Sequence, residues 1–158
     1  MAFRRANIVL VAMLVAGLPG PAAAQGNQAL AGRWALDPGG GRGGIRGIPI
    51  ATELAIAMSP SEVTVDSDTG SARAVQTFHF RVDGTETDVP GPLGWKTTAK
   101  ARWNGDALVV STRRTLEGGP LGPMGVDVTD VYVVSGDELT IERTQGRSRD
   151  RLVYRRKS

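Results

Sequence analysis

Two stretches of the chain repeat one phrase. WNGDALVVSTRR begins at Trp103 and VVSGDELTIER at Val133, and each places a Gly-Asp pair ahead of an apolar–polar alternation. This pattern limits the fold more than any other feature. Side chains that alternate with period two face opposite sides of a strand, and Gly beside Asn or Asp lets the chain reverse within two residues. A weaker copy, SPSEVTV, starts at Ser59. Further short alternating runs (LAIAM, FHFRV, AKARW, VDVTDVYVV, RLVYRR) follow Gln25, bounded by Gly, Pro, Asp or Ser. Helical periodicity is hard to find there. The chain is expected to be all-β, an antiparallel up-and-down meander.

Ten strands are expected, over 30–36, 50–58, 62–67, 72–82, 85–89, 95–103, 106–116, 126–135, 138–144 and 148–156. Four connections read as tight turns: Pro60-Ser61, Asp83-Gly84, Asn104-Gly105 and Gly136-Asp137. The other five, at 37–49, 67–71, 90–94, 117–125 and 145–148, read as loose or rich in Gly and Pro. The two kinds alternate along the chain. In a meander, alternate connections fall at opposite ends, so the tight turns should seal one pole and the loose loops surround a mouth at the other. An even strand count lets the first and last strands pair, which would remove both sheet edges and give a closed barrel of about eight to ten strands. An open β-sandwich is the alternative.

A two-residue turn also sets register, and facing residues share a side of the sheet. Pro60-Ser61 places Met58 against Val63 and Ile56 against Val65. Asn104-Gly105 places Ala101 against Leu108 and Ala99 against Val110. Gly136-Asp137 places Val134 against Leu139 and Tyr132 against Ile141. Each pairing is apolar, while Glu62, Thr64, Lys100, Arg102, Glu138, Thr140 and Glu142 fall on the other side. One face is core and the other wet. Phe78, Phe80, Trp95 and Trp103 join the inner face.

The first two dozen residues stand apart. Arg4-Arg5, an apolar run from Ile8 to Leu18, and Ala22-Ala23-Ala24 before Gln25 form the three-part pattern of a secretory leader over 1–24. An N-terminal anchor is the alternative, but a span needs about 20 apolar residues. A single domain would then occupy 25–158, secreted and by its leader periplasmic. It has no cysteine, so its core must hold without disulfides. The net charge of +3 falls to +1 once Arg4 and Arg5 leave, which points to neither nucleic acid nor an anionic surface as partner for the whole molecule.

The domain opens LAGRWALDP. Gly32-Arg33-Trp34 resembles the Gly-x-Trp start of the lipocalin and fatty-acid-binding-protein superfamily, the calycins. It is also similar to small bacterial secreted proteins with a lipocalin-like domain. In such barrels the tryptophan plugs the closed end beneath an arginine from the last strand. The resemblance implies barrel closure by Trp34 and Arg156, with Arg155 as the alternative, through a cation–π contact.

Inner-face polarity is layered. Trp34, Met58, Val63, Phe80, Val82, Trp103, Leu108, Val134 and Leu139 lie toward the tight turns. Thr52, Gln76, Thr97, Thr112, Arg114, Asp130 and Arg143 lie toward the loose loops. Asp130 should face Arg143, and simple closure of 117–125 brings Arg114 alongside, with Tyr132 one step below. Guanidinium matches a carboxylate bidentately, so Arg114, Asp130, Arg143, Tyr132, Gln76, Thr112 and Trp95 form a candidate ligand-binding set. The competing reading is an internal ion pair without a ligand. The single histidine, His79, points outward between Phe78 and Phe80. No metal or cofactor pattern, catalytic set or phosphate loop is evident. Glycines 39–47 read as a flap at the mouth, and Leu93, Leu121 and Met124 as apolar loop residues.

Arg147, Arg149, Arg151 and Arg155 alternate onto the solvent face and offer a patch for an envelope component. These features describe a monomeric, non-enzymatic carrier for a small hydrophobic or amphipathic molecule. The alternative is an envelope protein-interaction module with a filled barrel. An enzyme using Asp130 and Tyr132 as acid and base is a more distant alternative. A mouth-connected cavity above about 300 Å³ would favour the carrier.

Overall fold

The computed structural model describes residues 28–40, 49–71, 75–118 and 122–158. The expected leader, most of the glycine flap and Leu121 lie outside the described residues. Ten strands follow in chain order: β1 (Gly32–Leu36), β2 (Glu53–Met58), β3 (Glu62–Asp68), β4 (Gln76–Arg81), β5 (Thr87–Asp88), β6 (Lys96–Asn104), β7 (Ala107–Leu116), β8 (Met124–Ser135), β9 (Glu138–Gln145) and β10 (Ser148–Arg156). All pair antiparallel in one sheet, ordered β4-β3-β2-β1-β10-β9-β8-β7-β6-β5. The first and last strands join, with Trp34 opposite Arg156. The meander thus rolls into a nearly closed barrel.

Closure is incomplete where two edges were expected to vanish. β4 and β5 terminate the ladder and do not pair with each other. Asp83-Gly84 makes no hairpin. Instead Asp83 bridges to Arg102 on β6, and the Gly84 amide donates to the Ala101 carbonyl at 2.9 Å. The Asp83 carboxylate also accepts from the Thr85 amide and from Arg81, so the turn residues are engaged locally. The chain crosses to β6 early, and β5 keeps only two residues. The result is a seam that is tied at the sealed pole and unladdered toward the mouth.

Two other turns differ from expectation. Asn104 pairs with Ala107, so the reversal is Gly105-Asp106, Trp103 faces Leu108 and Ala101 faces Val110. The shift is two residues in pairing, so the same residues stay inside. Between β9 and β10, Gln145 pairs with Ser148, leaving Gly146-Arg147 as a tight turn on the mouth side. Gly105, Gly136 and Gly146 have φ of +59°, +60° and +57°, and no non-glycine residue has positive φ among the described residues. A left-handed glycine at the first turn position fits the twist of a hairpin.

The poles otherwise separate as expected. β7 runs its full length between Gly105-Asp106 and the 117–123 loop, and a ten-residue strand spans about 33 Å. Met58 faces Val63, and Tyr132 faces Ile141. The core runs through Ile56, Val63, Phe80, Leu108, Leu139 and Leu152, all buried. Thr52 is exposed, contrary to its inward assignment, and Ala51 is buried in its place. The Thr52 amide and hydroxyl are both drawn to the Asp68 carbonyl on the rim.

Candidate functional site

The sealed pole is plugged from below by the residues preceding β1. Trp34 is fully buried, and its indole N–H donates to the Leu30 carbonyl at 3.1 Å. The Arg156 guanidinium lies 4.2 Å from the Trp34 ring centroid and donates to the Ala31 and Ala29 carbonyls at 2.9 and 2.6 Å. Gly32 has φ +139°, and a Cβ there would stand 2.6 Å from Arg156 Nη1. The Gly-x-Trp spacing is thereby explained: the glycine makes room for the arginine that covers the tryptophan. Arg155, the alternative partner, points outward to Asp37 and Glu138, both at 3.2 Å.

Above this plug lies a cavity open toward the mouth. Its volume is about 120 Å³. Its lower wall is apolar, with Leu54, Phe78, Phe80, Val110 and Ile141. The Phe78 and Phe80 rings stack at 6.0 Å beside the seam. Tyr154 belongs to the wall, and its hydroxyl donates to the Ala51 carbonyl at 3.0 Å. Burial, the largest cause, pushes the Tyr154 pKa up to about 12.

The polar part of the wall is uneven. Arg143 and Asp130 face each other on β9 and β8 and form a bidentate pair at 2.7 and 2.8 Å. Both side chains are mostly buried. Burial works to lower the Arg143 pKa, but the Asp130 hydrogen bond and charge outweigh it, and the group is held above its ordinary value. Tyr132 is raised as well, by burial first and then by Asp130, so its hydroxyl keeps its proton.

Arg114 does not complete an Arg-Asp-Arg group. The β7–β8 ladder pairs Val110 with Asp130 and Arg114 with Val126, because Met124 already pairs with Leu116. Arg114 therefore stands four residues above the Asp130 rung, about 13 Å of strand. Its Nε is buried without a hydrogen-bond partner, and it forms no ion pair among the described residues. Burial, then the Arg143 charge, lowers its pKa, with Asp130 opposing weakly. Opposite it on β6 is Thr97, whose hydroxyl is also buried and unpartnered. Two orphaned polar groups thus share one rung. Gly91 packs tightly over Thr97, leaving no room for a Cβ, and Pro90 enters the cavity wall.

Arg114, Asp130, Arg143, Tyr132, Gln76 and Thr112 all line the cavity, with Gln76 exposed at its edge. Trp95 does not. It precedes β6, where its amide closes a turn onto the Pro92 carbonyl at 3.0 Å, and it stays outside the wall. Sequence reasoning missed Pro90, which enters from a loop, and Ala51, which precedes β2 although alternation over the expected strand 50–58 turned it outward. Arg147, Arg149, Arg151 and Arg155 are exposed. Arg151 and Arg155 are engaged by Glu138, at 3.8 and 3.2 Å. His79 is on the outer face, 3.2 Å from Glu62.

No protein-family model and no curated protein matches the chain. Solved structures resemble it. Secretory abundant heat soluble protein 4 from Ramazzottius varieornatus superposes with a TM-score of 0.62 at 12% identity, covering 81% of this chain and 94% of that one. Lipid binding protein 8 of Caenorhabditis elegans gives 0.61 at 9% identity, over 82% and 96%. The Schistosoma mansoni fatty acid binding protein, solved with arachidonic acid, gives 0.60 at 15% identity, over 84% and 99%. The shared feature is the antiparallel β-barrel fold.

Proposed function

We propose that this protein is a carrier for a small amphipathic molecule with a single negative charge, held head-up in the barrel. The observation that carries this reading is Arg114, a cation at the mouth rung with a buried, unbonded Nε and no ion pair among the described residues, above an apolar wall. The Arg143–Asp130 pair is internally neutral. That leaves one positive charge for a ligand, and a carboxylate is the group a guanidinium fork fits. Three similar barrels bear names that include lipid or fatty acid binding, which agrees with this reading. The locked Asp130 carboxylate and the protonated Tyr132 speak against acid–base catalysis. The leader-like residues 1–24 support export to the periplasm, and four exposed arginines support contact with an envelope component.

One observation favours the filled-barrel interaction module instead. The cavity, at about 120 Å³, is below the roughly 300–1,000 Å³ of drug-sized sites. A carrier of these dimensions takes a slender ligand, or the Phe78 and Tyr132 side chains shift to admit a longer chain. Native mass spectrometry of the protein from its own host separates the readings. A co-purifying lipid-sized anion, lost in Arg114→Ala, is the expected result. A bare protein that also fails to bind a fluorescent fatty acid, or retention unaffected by Arg114→Ala, would overturn the carrier.

A further inference from the structure

We propose that the carried molecule has an anionic head that also bears hydroxyl groups, on a single apolar chain, rather than a bare carboxylate. The step rests on the carrier reading and names the class of ligand that the same site takes. Its basis is a change in the inner face on both sides of the seam. On β3 and β4, Val65 faces Phe78, and the next inward rung toward the mouth is Ser67 against Gln76. On β6 and β7, Ala101 faces Val110, and the next two inward rungs are Ala99 against Thr112 and Thr97 against Arg114. Apolar wall gives way to hydrogen-bonding side chains on each side.

Ser67, Gln76, Thr97, Thr112 and Arg114 all line the one cavity. None of the five side chains makes a hydrogen bond or an ion pair among the described residues. Asp130 and Arg143, by contrast, already hold each other through two hydrogen bonds. Unused polar groups therefore gather along the seam. A carboxylate offers two acceptor oxygens and no donor, and a guanidinium fork takes both. Ser67 and Gln76, on the other side of the seam from that fork, would be left out. Hydroxyls beside the anion both donate and accept, so they can serve a serine, a threonine and an amide together. One negative charge is enough, because Arg143 is neutralised by Asp130 and Arg114 is not. A glycerol phosphodiester and a sugar carboxylate both have this chemistry.

Displacement of a fluorescent fatty acid tests this, with competitors of equal chain length and a single charge, each below its micelle-forming concentration. They are lauric acid, lauroyl lysophosphatidylglycerol and dodecyl glucuronide. At least one hydroxylated competitor should bind about tenfold more tightly than lauric acid, the worth of one or two hydrogen bonds. Which of the two does so separates the phosphodiester from the sugar acid. Ser67→Ala with Thr112→Val should cost that competitor about tenfold more affinity than it costs lauric acid. Gln76→Leu, at an exposed position, should narrow the preference as well and keeps the test open if the double variant does not fold. Lauric acid binding as tightly as both hydroxylated competitors, or a preference unchanged in the variants, would overturn the proposal and leave the carrier standing. No displacement by any competitor, or displacement indifferent to Arg114→Ala, would overturn the carrier and this proposal with it.

Discussion

The two ends of the barrel are built from the same strands and differ in how completely their buried polar groups are paired. At the sealed pole the Trp34 indole and the Arg156 guanidinium all reach carbonyls or a ring face. In the mouth half, Arg114 Nε, the Thr97 hydroxyl and the Gln145 side-chain oxygen are buried with no partner among the described residues. Buried polar atoms are nearly always hydrogen-bonded, and each exception needs a reason. Here the exceptions gather in one half. The contrast assigns stability to the plug and leaves the mouth half short of partners that a ligand can supply.

The largest effect tests whether the halves are independent. Trp34→Ala removes the largest fully buried side chain and should cost about 3–5 kcal/mol in urea unfolding. Fatty-acid affinity of the folded fraction should stay within about twofold, a shift of roughly 0.4 kcal/mol. Lost affinity would mean that the plug shapes the cavity, and the contrast would fail.

Tyr154 provides the second test, because it is a cavity-wall hydroxyl that is satisfied. Its pKa rises from 10.0 in the open chain to about 12 in the fold. Above pH 10 the unfolded chain loses a proton that the native state keeps, so stability falls as pH rises. The slope is about 1.4 kcal/mol per pH unit up to the folded value. Urea midpoints measured from pH 9 to 12 should fall less steeply in Tyr154→Phe than in the unaltered protein. Equal slopes would mean that this hydroxyl is not sheltered.

Gly32→Ala returns to the sealed pole with a smaller effect. The new methyl meets Arg156 Nη1, and an alanine at φ +139° is strained. Arg156 is pinned by two carbonyls and the indole, so it cannot simply swing away. A loss of about 1–2 kcal/mol is expected, read as a lowered urea midpoint.

Much of this plan was legible in the residues because period-two alternation records which side chains face inward. The Gly136-Asp137 register placed Asp130 on Arg143, and the ladder agrees. The Asn104-Gly105 reading slipped because Asn-Gly and Gly-Asp overlap in NGD, and either can turn; the slip is even-numbered, so no side chain changed face. What alternation cannot record is how far strands extend into loops. Met124 joining β8 moved Arg114 away from Asp130, and Asp83 bonding across to β6 opened the seam. Trp95 failed as a site residue for a related reason: it sits in a turn before β6, where strand parity no longer sets direction. The missing partners of Arg114 and Thr97 belong to the three-dimensional packing and have no sequence signature.

The smallest effect has the opposite sign. Arg114 is half-buried with an unpartnered Nε, so its desolvation is not fully returned in the empty barrel. Arg114→Met keeps much of the side-chain length, removes the charge and leaves Thr97 as it was. The ligand-free protein should become more stable by about 0.5–1 kcal/mol, a modest gain because water still reaches the outer half of the guanidinium and screens it. Paired urea curves with and without a fluorescent fatty acid read both sides of the argument. The unaltered protein should gain stability from the ligand, and the variant should gain none. If Arg114→Met instead destabilises the empty barrel, the guanidinium supports the wall rather than awaiting an anion, and the two halves are then satisfied by the same rules.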